Sequence, residues 1–515
     1  MNVDGNSLPI KGGDTVCITS GNRSTLRLIN FHGDSLNYII FKNCGDNVIV
    51  ETTNNVGISI LNSSYFRFTG TGNTTSKYGI KVLKTPKESN GLSIDGLSTN
   101  YEIDHIEIAN SGFAGIMSMS HPTCDGTANR GNFVQRNTSI HDNFVHNTSG
   151  EGFYIGHSFY TGYSTSCDGK PDTLFPSEIK GLRVFNNIVD STGWDGIQVG
   201  CATSDCEIYG NLITNYGVAS ISSQNSGMQI GAGTTGRCYN NAIINGSGSG
   251  INIFGLGNNY FYNNIVVNAG KLVNPTGDII NKAYGMFCDD RSTIQGLSFN
   301  FMNNTIIAPK TDGIRIYSSQ SRNNKFYNNL IIKPGSYGSY KNVLQSYIYY
   351  NSDVDVDVSN NYFSQNLTPF FVLDSLNSIY RLTETLPIHS LGKDVSKYGV
   401  FSDFFNSPFP VNGKCDIGAF QFNKASGNKA YSTSTFYLYP NPNYGEFYLV
   451  NNDALPLKSI SIYTYTGIKV YERCFLENDP LIINVKDKLK KGLYIISIET
   501  VKNRNTYPLM ILSGH

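Results

Sequence analysis

Short runs in which apolar and polar residues alternate recur along the chain, and they predict β-strands. They include residues 47–50, 58–60, 66–69, 196–199 and 250–253. Successive side chains of a strand point to opposite faces, so Ile197 and Val199 would point inward and Gln198 outward. No helical apolar period of useful length separates these runs. The pattern therefore predicts an all-β protein.

A longer unit repeats through the middle of the chain. Each copy holds an asparagine, two apolar residues, a short turn, and a glycine that opens an alternating strand. The copies are marked by Asn143, Asn187, Asn211, Asn241, Asn264, Asn304 and Asn329, and by Gly152, Gly196, Gly227, Gly250, Gly285 and Gly313. The shortest asparagine-to-asparagine intervals are 23 to 25 residues. A period of this size indicates a solenoid, and short strands joined by turns predict a right-handed parallel β-helix. We expect the asparagines to form an internal ladder at a tight bend.

The loss of this period divides the chain. Residues 1–422 would form the β-helix, with 404–422 closing its open end, because an uncovered last coil is an unpaired sheet edge. Residues 423–434 are small and polar, which is typical of a linker. Residues 435–515 contain strand-like runs at 436–439, 445–450, 459–465 and 492–499, and they predict a small antiparallel β-sandwich.

Several motifs of this last segment occur in a specific order. It opens with Tyr439-Pro440-Asn441-Pro442-Asn443 followed by Gly445 and Phe447, and continues with Ile462-Tyr463, Gly467, Val470 and Lys491-Gly492-Leu493-Tyr494. The order and spacing resemble the C-terminal sorting domains of the type IX secretion system of Bacteroidota. The resemblance implies that this secretion machinery is a partner. It also implies export across the outer membrane, followed by attachment to the cell surface or release.

The longer segment has a looser resemblance, which rests on its N-terminal GGDTV, its glycine-rich coils and its closing CDIGAF. It is similar to bacterial β-helix proteins related to polysaccharide lyases and glycosidases. The resemblance implies an extracellular or surface protein that cleaves a polysaccharide. The same repeats occur in binding and structural proteins, so a non-catalytic glycan-binding adhesin and a structural surface protein are the alternatives.

The charge balance and hydropathy narrow the choice of partners. Lys plus Arg and Asp plus Glu both number 39, so no basic excess indicates a nucleic-acid partner. No apolar run approaches the length needed to span a membrane. None of the ten cysteines has the C-x-x-C spacing of a zinc or redox site, which favours disulfides outside the cytoplasm over free buried thiols.

Two insertions, at about 118–137 and 157–180, mark one part of the β-helix as a candidate site. Loops that leave one edge of a solenoid form walls beside its flat face, and Cys124 and Cys167 could join these two. Five of the eight histidines fall at 105–157, and His141 or His146 is the candidate base for β-elimination; a structural hydrogen-bonding role is the alternative. The candidate groups for binding a substrate carboxylate are Arg130, Arg136, Lys170 and Arg183.

Glu151 and Asp195 precede the repeat glycine on what should be consecutive coils, about 4.8 Å apart. Stacked carboxylates repel, so the pKa of one should rise unless a cation lies between them. The pair could be the general acid and the base or nucleophile of a glycosidase, or it could bind Ca²⁺ for a lyase. The alternative is that both are ordinary turn residues beside glycine.

Outward-facing side chains are predicted to line up in one column of strands. They are Met117, Tyr154, Gln198, Gln229, Asn252, Phe287 and Arg315. Polar and aromatic groups in line on a flat face suit a sugar polymer, although a solvated sheet face can carry them too. Trp194, the single tryptophan, would stack on a sugar ring or cover the turn beside Asp195. We therefore place Tyr154, Trp194 and Gln198 among the candidate substrate-binding residues.

Overall fold

The fold is described from a computed structural model of the chain. It describes residues 1–72, 76–271, 281–290, 292–317, 320–366, 370–372, 380–382, 388–410, 414–421, 436–439, 445–451, 457–464, 468–475, 481–490, 492–500 and 504–511. The chain divides into two compact units, 1–367 with 385–421 and 368–384 with 422–515. The predicted linker at 423–434 lies outside the described residues.

The first unit is a parallel β-helix whose coils each contribute strands to three sheets. The first sheet has twelve strands: Asn2–Asp4, Leu26–Ile29, Ile58–Leu61, Leu92–Asp95, Ile116–Ser118, Phe153–Ile155, Ile197–Val199, Met228–Ile230, Ile251–Ile253, Met286–Asp289, Ile314–Tyr317 and Ile348–Tyr350. Every neighbouring pair in it is parallel, and Tyr154, Gln198 and Gln229 occupy the same register position.

The second and third sheets follow each other within a coil, separated by a bend. The second contains Thr15–Arg23, Ile39–Glu51, Ser64–Thr69, Thr99–Asp104, Val134–His141, Glu178–Phe185, Ala202–Tyr209, Gly236–Tyr239, Asn259–Tyr262, Phe299–Met302, Asn324–Tyr327 and Val356–Ser359. The third contains Ile80–Lys84, Ile106–Ala109, Phe144–Thr148, Ile188–Thr192, Leu212–Tyr216, Ala242–Gly246, Ile265–Ala269, Thr305–Ile307, Leu330–Ile332 and Tyr362–Ser364. The two longest strands of the second sheet, Thr15–Arg23 and Ile39–Glu51, run on into the third.

The interior is filled by the inward-facing residue of every alternate strand position. Ile197, Val199, Ile251 and Ile253 are fully buried, as the alternation predicted. Larger side chains stack along the axis, and the ring centroids of Phe301 and Phe326 are 4.8 Å apart. Because this spacing is close to that of the strands, like residues in successive coils pack on one another.

The predicted asparagine ladder is confirmed at the bend between the second and third sheets. The side-chain N–H of Asn211 donates to Asn241 Oδ1 at 2.9 Å, and that of Asn241 donates to Asn264 Oδ1 at 3.0 Å. The backbone N–H of Asn211 also donates to Asn241 Oδ1, and the Asn241 amide donates to the Ile208 carbonyl. Each amide thus satisfies the buried backbone groups that the bend leaves unpaired.

The repeat glycines allow a close approach between the first and third sheets. A β-carbon on Gly196 would lie 2.5 Å from the carbonyl oxygen of Gly227 and 2.5 Å from Cγ2 of Ile213. No side chain fits at that distance, which explains why glycine precedes each of these first-sheet strands.

The described residues at 388–410 and 414–421 form a segment that lies along the side of the coils. The Gly418 N–H donates to the Asn328 carbonyl, and the Ala419 N–H donates to the Thr305 hydroxyl. Val395 and Val400 pack with Tyr262 and other residues of the second sheet. The described contacts of this segment are therefore lateral, whereas the sequence predicted that 404–422 would close the open end.

Short elements outside the three sheets complete the first unit. They are 3-10 turns at Gly5–Ser7, Gly338–Tyr340 and Ser396–Tyr398, and an antiparallel hairpin of Tyr163–Cys167 and Lys170–Leu174. Cys17 pairs with Cys44 in a disulfide, while Cys201, Cys206, Cys238, Cys288 and Cys415 are buried free thiols. The described part of the chain holds no helix that is long and apolar enough to cross a membrane.

The second unit is antiparallel. One sheet contains Phe436–Tyr439, Glu446–Asn451 and Ile482–Asn484, and the other contains Lys469–Cys474, Leu457–Thr464, Gly492–Thr500 and Arg504–Ile511. Phe447 and Ile483 of the first sheet share one buried core with Ile460, Ile496 and Leu509 of the second. This packing is the predicted sandwich. A further hairpin, Phe370–Val372 with Tyr380–Leu382, belongs to the same unit.

The ladder predicts a large effect for one substitution. Asn241→Ala would remove the acceptor of two buried Asn211 N–H groups as well as the donor to Ile208, so we expect a loss of about 3 kcal/mol in the free energy of unfolding. The measurement is the urea unfolding midpoint of the purified chain. The control is Asn22→Ala, which changes an exposed asparagine of the coils. Equal midpoints for the two variants would contradict the ladder's role.

Candidate functional site

The outward face of the first sheet carries a continuous column of side chains. Met117, Tyr154, Gln198, Gln229, Asn252, Phe287 and Arg315 occupy one register position in seven successive strands. The sequence predicted this column, and the strand pairing confirms it.

A groove of about 480 Å³ lies on this column, over the four strands from Ile197–Val199 to Met286–Asp289. Its floor includes Gln198, Gln229, Asn252 and Phe287, and Phe254 extends it at one side. The opposite rim is formed by turns that hold Asn225, Lys282 and Tyr284. The volume falls within the range of about 300–1,000 Å³ typical of ligand sites.

The two insertions form a wall at one end of the groove. Cys124 and Cys167 are joined by a disulfide, as the sequence suggested. The Arg130 guanidinium donates to the Tyr160 carbonyl and lies 3.9 Å from the centroid of the Tyr160 ring. That ring packs against Gly233, where a β-carbon would lie 2.2 Å from it. Because the neighbours of Gly233 line the groove, the wall is fixed to the groove's edge.

A serine links this wall to the floor of the groove. The hydroxyl of Ser158 lies 2.7 Å from the hydroxyl of Tyr154 and accepts a hydrogen bond from the Gln198 amide at 2.7 Å. Two adjacent side chains of the outward column are thereby held in fixed orientations. The Gln198 Oε1 atom is buried and has no hydrogen-bond partner among the described residues.

Glu151 and Asp195 lie on consecutive coils beside this column. The Gly152 N–H donates to the Asp195 carbonyl at 2.9 Å, which confirms the predicted stacking. Their side chains are 1% and 0% exposed. Asp195 Oδ1 accepts from the N–H and the hydroxyl of Ser226, both at 2.6 Å, while Asp195 Oδ2 and Glu151 Oε2 have no partner among the described residues.

Burial keeps both carboxyl groups protonated over an unusually wide pH range. Burial, together with the smaller effect of the neighbouring Asp195, raises the pKa of Glu151 to about 7. It also raises the pKa of Asp195 to about 7, against the lowering effect of the two Ser226 hydrogen bonds. The arrangement therefore favours a proton on at least one of the two groups at neutral pH.

The predicted binding of Ca²⁺ by Glu151 and Asp195 can be judged from the oxygen atoms that are available there. The pair offers two buried carboxylate oxygens without partners, and Gln198 offers a third oxygen on the same coil as Asp195. Ca²⁺ takes about six to eight oxygen ligands. These donors are of the right chemistry but are fewer than a complete site needs, so Ca²⁺ binding at Glu151 and Asp195 stays a prediction.

The candidate bases His141 and His146 lie on other sheets. His141 ends a strand of the second sheet, where it contacts Asp142 at 2.8 Å and Glu102 at 3.1 Å. Burial lowers the pKa of His141, but these hydrogen bonds outweigh burial and raise the pKa to about 9. His146 is on the third sheet, with its ring 4.3 Å from that of Phe144. The structure does not bring either histidine to Glu151.

The group formed by Glu102, Asp104 and His141 has donor atoms close enough together for a metal ion. Arg67 already lies among them, with its Nε atom 2.8 Å from Asp104 and 3.0 Å from Glu102. Its hydrogen bonds, together with those of His105, hold the pKa of Asp104 well below its usual range in spite of burial. The group is therefore a charge-balanced ion-pair network.

The remaining candidate binding residues are dispersed. Arg136 is exposed on the second sheet, and Lys170 is exposed in the hairpin of the wall. Arg183 is on the second sheet and pairs with Asp205 at 2.7 Å. Trp194 packs edge-on against Phe113, at 5.3 Å between centroids, in the turn before the first-sheet strand. Of the predicted set, only Tyr154, Gln198, Glu151 and Asp195 lie together, with Trp194 next to Asp195.

The groove lies further along the solenoid than the coils that the sequence pointed to. The groove begins at the strand that contains Gln198 and extends over three further strands, whereas the histidine and loop signals pointed to 105–200. Asn225 and Lys282 were not singled out because they lie in insertions outside the repeat pattern, and Tyr284 because it precedes the repeat glycine Gly285 as an ordinary turn residue. The longer asparagine intervals, which indicate insertions after Asn211 and Asn264, were the available signal.

Removing the disulfide of the wall should loosen its hairpin and leave the coils of the β-helix unchanged. In the double variant Cys124→Ser with Cys167→Ser, we expect faster amide exchange in Tyr163–Cys167 and Lys170–Leu174, because the disulfide no longer restrains the hairpin. Hydrogen–deuterium exchange of these peptides is the measurement, with exchange in Ile197–Val199 unchanged. Cys17→Ser with Cys44→Ser is the matched control and should leave the hairpin as it is. Equal hairpin exchange in both variants would contradict the proposed restraint.

The carboxyl pair predicts a pH dependence of stability. The folded state holds protons that the unfolded state releases between about pH 4 and pH 7, so the pair lowers the free energy of unfolding as pH rises through this window. Asp195→Asn should therefore raise Tm relative to the parent protein at pH 8 more than at pH 4.5. Thermal unfolding at both pH values tests this, with the exposed Asp172→Asn as control. A difference in Tm that does not vary with pH would refute it.

Two known protein families each match a different part of the chain. Residues 437–512 match the family described as secretion system C-terminal sorting domain, and residues 177–363 match the right handed beta helix region. Comparison with curated protein sequences finds no match.

Three solved structures illustrate the likeness of fold. Pectate lyase Pel9A is 12% identical, with a TM-score of 0.43, over 81% of this chain and 89% of that one. Alginate lyase from Paenibacillus sp. str. FPU-7 is 14% identical, with a TM-score of 0.35, over 67% and 94%. The A-module of Azotobacter vinelandii mannuronan C-5 epimerase AlgE4 is 11% identical, with a TM-score of 0.31, over 68% and 91%. All three likenesses are loose. The family matches and the observed strand pairing together identify a right-handed parallel β-helix protein that carries a type IX secretion system C-terminal sorting domain.

Proposed function

We propose that this exported protein binds a polysaccharide chain in the groove on the outward face of its first sheet. The sorting domain implies export to the cell surface or the surroundings, where such polymers are found. Attachment to the outer membrane after export is part of the proposal.

The observation that carries the proposal is the row of regularly spaced side chains on the groove floor. Gln229 and Asn252 present amides in successive strands, and Phe287 follows them with a ring. Gln198 precedes them in the row but is buried beneath Ser158. An amide offers both donors and acceptors, as a sugar hydroxyl does, and an aromatic ring covers the apolar face of a sugar. Because the row is long and open, it fits an extended polymer better than a small compact ligand.

Cleavage of the bound polymer is the second candidate, and the carboxyl pair favours it. A general acid must be protonated at the working pH, and the raised pKa values of Glu151 and Asp195 meet this condition. Both groups are almost fully buried, so a substrate would reach Glu151 only if the adjoining turn moved aside. The arrangement of the groove as it stands therefore supports binding. Cleavage requires, in addition, that the turn beside Glu151 move.

The test uses the full chain and a panel of soluble polysaccharides in affinity gel electrophoresis. For the polymer that retards the protein, Gln229→Ala with Asn252→Ala should weaken binding by about tenfold, because about two hydrogen bonds are lost. Arg27→Ala is the matched control, since Arg27 is exposed in the same sheet but lies outside the groove. Failure of every polysaccharide to bind would refute the proposal.

The same samples distinguish binding from cleavage. New reducing ends without near-ultraviolet absorbance would indicate hydrolysis, and absorbance from new double bonds would indicate elimination. In either case Glu151→Gln should abolish the products and leave retardation in the gel intact. Retardation without products would make the protein a glycan-binding adhesin.

A further inference from the structure

The groove's lining carries almost no charge. Among its described residues Lys282 is the single ionisable side chain of either sign apart from Tyr284, and it is exposed at the rim. The remaining polar side chains are several serine hydroxyls and the amides of Gln198, Asn225, Gln229, Asn252 and Asn281. A ligand seated here meets neutral donors and acceptors.

Two arginines beside the groove lie outside its lining and contact other parts of the protein. Arg315 follows Phe287 in the outward column, but its guanidinium donates to Asp312 at 2.7 Å and lies 3.9 Å from the centroid of the Tyr349 ring. Arg130 is held in the wall by the carbonyls of Tyr160 and Pro176. The charge of Arg315 is therefore already balanced by Asp312, Arg130 is held within the wall by two carbonyls, and neither arginine is part of the groove's lining.

This charge distribution restricts the kind of polymer. A polyuronate carries a carboxylate on every sugar, and several would lie along a groove that spans four strands. Removing a carboxylate from water without a paired cation is costly, and one rim lysine cannot pair with several carboxylates. Hydroxyl groups have no such requirement, because the amides can donate to them and accept from them.

From these contacts we infer that the groove selects a neutral polysaccharide, a polymer of uncharged hexoses or pentoses, and discriminates against polyuronates. The inference rests on the proposed function, since it names the substrate class of the same groove. Polyuronates are disfavoured because the described floor of the groove offers no cation to pair with their carboxylates. Uncharged sugars are favoured because their faces can stack on the aromatic rings of Phe254 and Phe287.

The experiment compares soluble neutral polymers (xyloglucan, glucomannan, mixed-linkage β-glucan, arabinan) with polygalacturonate and alginate, using the full chain in affinity electrophoresis and calorimetry. We expect at least one neutral polymer to bind, with a Kd that changes less than about twofold between about 0.02 M and about 0.5 M NaCl, because little of the affinity is electrostatic. Arg27→Ala, which lies outside the groove, should leave that Kd within about twofold, whereas Gln229→Ala should raise it several-fold.

The outcomes separate the inference from the function on which it rests. Binding of polyuronates alone, weakened by salt and lost in Lys282→Met, would overturn the neutral-substrate inference while leaving a polysaccharide groove in place. Equal affinity for both classes would also overturn it. No binding to any polymer would overturn the proposed function itself.

Discussion

Each coil of the β-helix hydrogen-bonds through its backbone to the next, as the Gly152 N–H does to the Asp195 carbonyl. This direct stacking fixes the register, so every position in the repeat becomes a column that runs along the axis. Inside, the columns are apolar residues and the asparagine ladder, which satisfies the backbone at each bend. Outside, the same constraint lines up Tyr154, Gln198 and Gln229 in one continuous column.

The constraint also brings like groups together where that is unfavourable. Glu151 and Asp195 occupy the same position in consecutive coils and are both buried, so protonation takes the place of a counter-ion. Neighbouring acidic residues of the second sheet are instead paired with a cation. There Arg67 lies between Glu102 and Asp104, and the charges are balanced by ion pairs. Raised carboxyl pKa values are therefore a local property of the first sheet, beside the groove.

The sides of the groove are formed by insertions that lie outside the repeat. The wall at one end is held by the disulfide between Cys124 and Cys167 and by Arg130, and one rim comes from turns that include Asn225 and Lys282. The regular coils supply a flat, evenly spaced floor, and the insertions convert it into a groove. Neutral amides on the floor and a nearly uncharged rim give this groove its chemical character.

The sequence by itself determined the solenoid and its inward and outward columns, because alternation and a fixed period recur in every stacked coil. Strand-like runs without that period also determined the sandwich formed by the last part of the chain. The sequence also brought together Glu151 and Asp195. The tertiary structure alone decided that His141 faces a different side from these carboxyls, since the face on which a residue lies depends on where each coil bends. It likewise decided that residues near Val395 lie along the side of the coils, and that the groove lies over Asn252. Loop insertions obey no period, so only their packing shows which coils they enclose.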